Sequence, residues 1–258
     1  GSTLFRPKRK PSLYLFGAVD GRLVVRDIFL DGNSFTDSHS VDKKNWVAGL
    51  AAVVLTLLAV ILVLLPLVRL GSGSGSRLGT LLFFSGLGVG YMWTELAMIH
   101  RFEFYLGQPV YSAALVVAVL LSGSALGSML TERFTSLAPR NLAAGVVGVL
   151  VAYLLTLGPL LQATIHWPLG ARISVAIFAL LPMALIMGMP FPLGIRHLHR
   201  SSRGEVPWAW GVNGCLSVVS AAFATLIAVE TCYSRLLLLA AAAYLLAAMF
   251  GVKMRREW

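Results

Sequence analysis

"GLGVGYMWTELAMIH" (Gly86–His100) decides the fold. Apart from Thr94, Glu95 and the terminal histidine it is apolar or small, with no polar face repeating every turn. A helix that is apolar all round belongs in lipid or in the centre of a large core. One carboxylate, Glu95, then needs a physical reason to be there.

The composition points to lipid. The chain has 258 residues, 57% hydrophobic and 12% charged, with a mean hydropathy of +0.80. Soluble domains carry about 25% charged residues. Half that fraction predicts a polytopic membrane protein. The net charge of +10 is not the mark of a nucleic-acid binder, because the basic residues fall in short gaps between apolar runs. Membrane topology and lipid headgroups account for that placement. Cys215 and Cys232 are too few for a disulfide framework and lack metal spacing, so no metal site is expected. The chain opens on Gly-Ser rather than Met and has no signal-peptide pattern, which predicts a fragment or a processed chain.

A spanning helix needs about 20 apolar residues. Working outward from Gly86–His100, seven runs qualify: Trp46–Val68, Leu78–His100, Pro109–Leu130, Asn141–Leu161, Ile173–Ile195, Trp208–Val229 and Leu236–Val252. The expected fold is an all-α polytopic membrane bundle of about seven helices, residues 46–258. Unsatisfied backbone groups in hydrocarbon allow only helices or closed barrels, and these runs do not alternate as barrel strands do. "RLGSGSGSR" (69–77) reads as a flexible linker, and "RFEFYLGQ" (101–108) as a short amphipathic segment in the interface. Residues 1–45 are more polar. Within them "SLYLFGAVDGRLVVRDIFLDG" predicts a β-hairpin turning at Asp20-Gly21. A lone hairpin is marginal in water, so this arm is expected to dock on a soluble or membrane protein partner, missing sequence or the bundle. Near the helix ends, five Lys/Arg on one side face ten on the other, which favours a cytoplasmic C-terminus. Counting the whole arm makes this eleven against ten.

Glu95 lies about 7 Å along the axis from His100, where the apolar run ends. Ionisable groups at depth face the bundle interior and have a partner. His100, Arg101 and Asn213 are the candidates. A cation or proton site and a hydrogen-bonded structural anchor both remain open. His100, Arg101 and Glu103 form a charge cluster in "IHRFEF", either interfacial or a gating rim. Gly86, Gly88 and Gly90 lack the strand that should precede a dinucleotide loop, and close helix packing explains them. The same reading covers Gly123/Gly127 and Ser124/Ser128. "LPMALIMGMPFPLG" (181–194) places Pro182, Pro190 and Pro192 in one span, where a kink frees carbonyls. Broken helices of this kind line binding sites in transporters. Trp208 and Trp210 suit an interface belt, and Asn213 lies a turn deeper. No soluble-enzyme constellation is present.

Two stretches resemble a known family. "FFSGLGVGYMWTELAMIHRFEFYLGQPVYSAALVVAVLLSGSALGS" and "LPMALIMGMPFPLGIRHL…PWAWGVNGCLSVVSAAFATLIAV" are similar to the signatures of bacterial integral-membrane spermidine synthase-like proteins, fusions of a transporter-like membrane region with an aminopropyltransferase-like domain. The resemblance spans most of residues 80–230. "FTDSHSVDKKNW" (35–46) stands where that family has a Thr-Asp-Asp-Arg-Pro-like stretch; Thr36 and Asp37 agree, and the rest departs. The family's cofactor-binding Rossmann-type domain has no counterpart upstream of Trp46, so no cofactor is expected in this chain. The resemblance implies a multi-pass protein of the bacterial inner membrane. The expected function is a membrane module that binds or passes a small cationic or lipophilic ligand through Glu95, His100, Arg101, Glu103, Pro190 and Asn213. The alternatives are a structural anchor of a larger complex, or a transferase whose catalytic domain lies elsewhere.

Overall fold

The computed structural model describes residues 14–19, 22–27, isolated positions between 50 and 61, 76–134, 138–201, 205–230 and 233–251. Two units are described separately. In the first, β1 (Tyr14–Val19) pairs antiparallel with β2 (Arg22–Asp27), with Val19 opposite Arg22 and Tyr14 opposite Asp27. Asp20 and Gly21, on which the turn expectation rests, lie outside the described residues.

The second unit is helical. Leu50, Val53, Val54, Leu57 and Ile61 are helical and exposed, and their spacing puts them on one face. The rest of the expected first span and the Gly-Ser linker before Ser76 lie outside the described residues. Then come α1 (Ser76–Leu106), α2 (Pro109–Leu130), a 3₁₀ turn (Thr131–Phe134), α3 (Pro139–Thr164), α4 (Leu169–Met187), α5 (Pro190–Ser201), α6 (Val206–Glu230) and α7 (Tyr233–Phe250). Five segments among the described residues are long and apolar enough to cross a membrane, with α4 and α5 counted as one; α7 is apolar but shorter. The chain is a helical membrane protein. Large hydrophobes such as Val110, Met129 and Phe178 lie on its outer surface, each more than 70% exposed.

α1 is the central helix and packs on α7, α6 and α2; α2 packs on α4, and α3 on α7. Small residues make the close approaches possible. A Cβ on Gly86 would meet the Ala243 carbonyl at 2.6 Å, and one on Gly90 would meet the Tyr244 ring at 2.6 Å. Without hydrocarbon-to-water transfer to drive association, tight van der Waals packing of this kind holds membrane helices together. Phe83, Phe84, Phe102, Met98 and Tyr244 fill the space between the crossings and are fully or almost fully buried.

Two expectations are corrected. Arg101–Leu106 is not an interfacial linker, because α1 continues through it. Phe102, Tyr105 and Leu106 keep the buried face of α1 going, and the helix stops where Gly107 takes a φ of +74°. The expected Ile173–Ile195 helix is in fact two helices. Pro182 sits inside α4, and the Tyr153 hydroxyl of α3 donates to the Ala179 carbonyl one turn before it. The break comes at Gly188 and Met189. Pro190 has no N–H for the Ile186 carbonyl, which accepts from Met189 N at 3.3 Å instead, and α5 starts afresh at the proline.

Candidate functional site

The break between α4 and α5 opens onto a groove of about 690 Å³ that reaches α1, α2 and α6. That size lies within the range of small-molecule sites, about 300–1,000 Å³. Each element contributes one face at helical spacing. α2 supplies Leu121, Ser124, Ala125 and Ser128; α6 supplies Trp210, Asn213 and Ser217. Residues three, four and seven apart lie on one side of a helix, so both stripes follow from the sequence once the faces are known.

The polar groups of the groove form two hydrogen-bonded sets. Asn213 donates Nδ2 to the Phe84 carbonyl at 3.1 Å, and Ser217 Oγ donates to the Asn213 carbonyl at 2.8 Å. Tyr91 and Ser124 share a hydrogen bond between their hydroxyls at 3.2 Å. Ser124 Oγ also approaches the Ala184 carbonyl at 3.4 Å, the same oxygen that accepts from Gly188 N at 3.1 Å. The break is therefore tied to α2 through Ser124. A Cβ on Gly188 would strike the Ser124 backbone, so only glycine lets the two chains meet there. The apolar side is aromatic: Phe191 meets Trp210 edge-to-face at 4.7 Å and Phe84 at 5.4 Å. Arg196 lines one end of the groove, and its Nη2 pairs with Glu132 Oε1 at 3.3 Å.

The sequence-derived candidates fall in several places. Asn213 lines the groove. Pro190 is buried and begins the helix on the far side of the break. Glu95 is half-buried on α1 and does not line the groove; among the described residues it forms no ion pair with His100, Arg101 or a neighbouring helix. Because α1 runs on to Leu106, Glu95 lies about 16 Å from the helix end at about 1.5 Å per residue, deeper than the sequence suggested. His100 pairs with Glu103 instead, Nδ1 to Oε2 at 3.4 Å, one turn apart on the same helix. Arg101 packs towards α3, with Nη2 2.9 Å from where a Cβ on Gly158 would stand, beside a void of about 20 Å³. Glu95, His100 and Arg101 therefore do not line the groove with Asn213.

Sequence reasoning missed Tyr91, Ser124, Ser128, Arg196, Trp210 and Ser217 as site residues. The sequence pattern assigns Ser124 and Ser128 to helix packing and Trp210 to an interface belt. The signal that could have found them was the polar stripe shared by two otherwise apolar helices. Among the described residues no group of His, Cys, Asp and Glu could hold a metal ion.

A family model described as "Outer membrane protein LpxR" matches residues 1–58, less than a quarter of the chain. No curated protein and no solved structure matches. The resemblance to the spermidine synthase-like membrane family is corrected on this finding: the matching family is a different one, and it lies upstream of the motifs that carried the likeness. Those motifs are rich in Gly86, Gly88, Gly90, Gly123, Gly127 and Gly188, and the structure accounts for them by the close contacts at each. Small residues at such spacing recur wherever membrane helices cross closely. The inner-membrane assignment is withdrawn with it, since the matching family is described as an outer-membrane one.

Proposed function

We propose that the helical unit binds a lipophilic ligand from within the bilayer, in the groove at the α4–α5 break. The observation that carries this is a roughly ligand-sized groove of about 690 Å³ where one span is interrupted at Gly188 and Met189. Irregular backbone at membrane depth is tolerated where it is buried in protein or lines a cavity. The groove is reached from the lipid side, because Leu121, Ala125 and Trp210 are exposed. The only charged side chain on its described lining is cationic, so an apolar body rather than a cationic one suits it. The finer architecture belongs to the same proposal: a helix over 46–68 completes a seven-span bundle, preceded by a hairpin arm.

Filling the groove tests the reading. Ala125→Phe places a ring in it from an exposed position on α2, and Ala118→Phe, exposed on the same helix but off the groove, is the control. Native mass spectrometry of protein extracted from membranes should show a bound lipophile on the unmodified chain and on Ala118→Phe, and its loss from Ala125→Phe. Equal retention by both variants overturns the reading.

A further inference from the structure

We infer that the groove selects an acyl lipid with an anionic phosphate headgroup, held at its Arg196 end; this rests on the proposed lipophile site. Phe191 and Arg196 both line the groove from α5, five residues apart, so the lining extends about 7 Å along that helix before it reaches the break at Gly188 and Met189. A lipid placed with its headgroup at Arg196 runs its chain past Ile195 and Phe191 to the break, with Met187 on its far side.

The charge at that end is complementary to a phosphate. Arg200 follows Arg196 by one turn on α5, and His199 lies beside it in the last turn. Arginine presents five donors in a planar fork suited to phosphate oxygens. The resident partner is weakly held: the Glu132 side chain is 75% exposed and that of Arg196 is 40% exposed. Exposed ion pairs of this kind contribute little. Glu132 is thus a displaceable counterion. A headgroup at Arg196 takes its place and adds contacts along the groove that the carboxylate cannot make.

Trp210 reports occupancy, because it lines the groove and meets Phe191 edge-to-face. The experiment adds phosphatidylglycerol or phosphatidylcholine with brominated chains to the full chain in detergent micelles. Quenching of tryptophan fluorescence is read in the unmodified protein and in Trp210→Phe, and the difference isolates Trp210. Phosphatidylglycerol should quench Trp210 at about a fivefold lower mole fraction than phosphatidylcholine, the effect of one basic residue at a membrane surface. Arg196→Gln should bring the two lipids together, and Glu132→Gln should widen the gap. Added salt should narrow the gap in the unmodified protein, which tests the charge without any substitution. Equal quenching by the two lipids, or a preference indifferent to salt, overturns the headgroup inference while leaving the groove as a lipophile site. Absence of any Trp210-dependent quenching by either lipid removes the site itself.

Discussion

Gly127 and Gly145 separate two meanings of glycine in a membrane helix. A Cβ on Gly127 would collide with the backbone of Leu185 on α4, which cannot rotate away. A Cβ on Gly145 of α3 would meet nothing within 4 Å. Gly127→Ala should therefore destabilise the protein by about 1–3 kcal/mol, the range for overpacking a close contact. Gly145→Ala should be neutral or stabilise by up to about 1 kcal/mol, because alanine is the better helix former. Thermal melting in one detergent compares the two directly. If Gly145→Ala lowers the midpoint as much as Gly127→Ala, the α2–α4 contact is not what the glycine serves. The same contrast explains how far single residues could be read beforehand. The spacing of Gly123 and Gly127 announced a close helix crossing, and α4 lies there, with a Cβ on Gly123 meeting that of Ala184 at 2.5 Å. The spacing said nothing of which helix crosses, because that depends on contacts remote in sequence.

The ends of α1 and the α4–α5 pair show where element boundaries were legible. α2 begins at Pro109 and ends at Leu130, as the sequence indicated, because proline favours a first turn and the apolar run is bounded by charge. α1 outran its apolar run, because buried Phe102, Tyr105 and Leu106 gave its last turns a core to pack on. That end is finished by another helix. The Tyr105 carbonyl has no helical donor, since residue 109 is proline. Arg172 of α4 supplies one, Nη1 to carbonyl at 2.7 Å, with its guanidinium over the Tyr105 ring at 5.9 Å. The Tyr105 hydroxyl meets Thr164 Oγ1 of α3 at 2.8 Å, so three helix ends share one clasp. Such a cap between remote residues leaves no local pattern in the sequence. Arg172→Gln should cost about 1.5–3 kcal/mol, the range for a hydrogen bond to a charged group. Amide exchange near Gly107 should quicken, as the end of α1 loses its tie. Arg196→Gln removes only an exposed pair and should cost under about 1 kcal/mol. Comparable losses in the two variants would rule out the clasp.

The whole molecule poses a choice between the two structures a bilayer allows, helices and a closed barrel. The match to an outer-membrane family lies on residues 1–58, where the described strands β1 and β2 fall. The rest of the described chain is helical, and five of its segments have the length and apolarity to span. Composition could reveal this part because hydropathy acts over whole segments, whereas a groove depends on which faces meet. Tilt in natural spans averages about 20° from the normal. In oriented lipid bilayers, polarised infrared absorption should therefore show a dominant helical amide band whose dipole lies nearer the normal than the plane. The carbonyls of a helix point along its axis, and so the band follows the helices. Helices lying flat would reverse the polarisation, and a barrel would replace the band with that of sheet. Either result would leave the groove without a membrane interior to open into, since its exposed Leu121, Ala125 and Trp210 would then face something other than acyl chains.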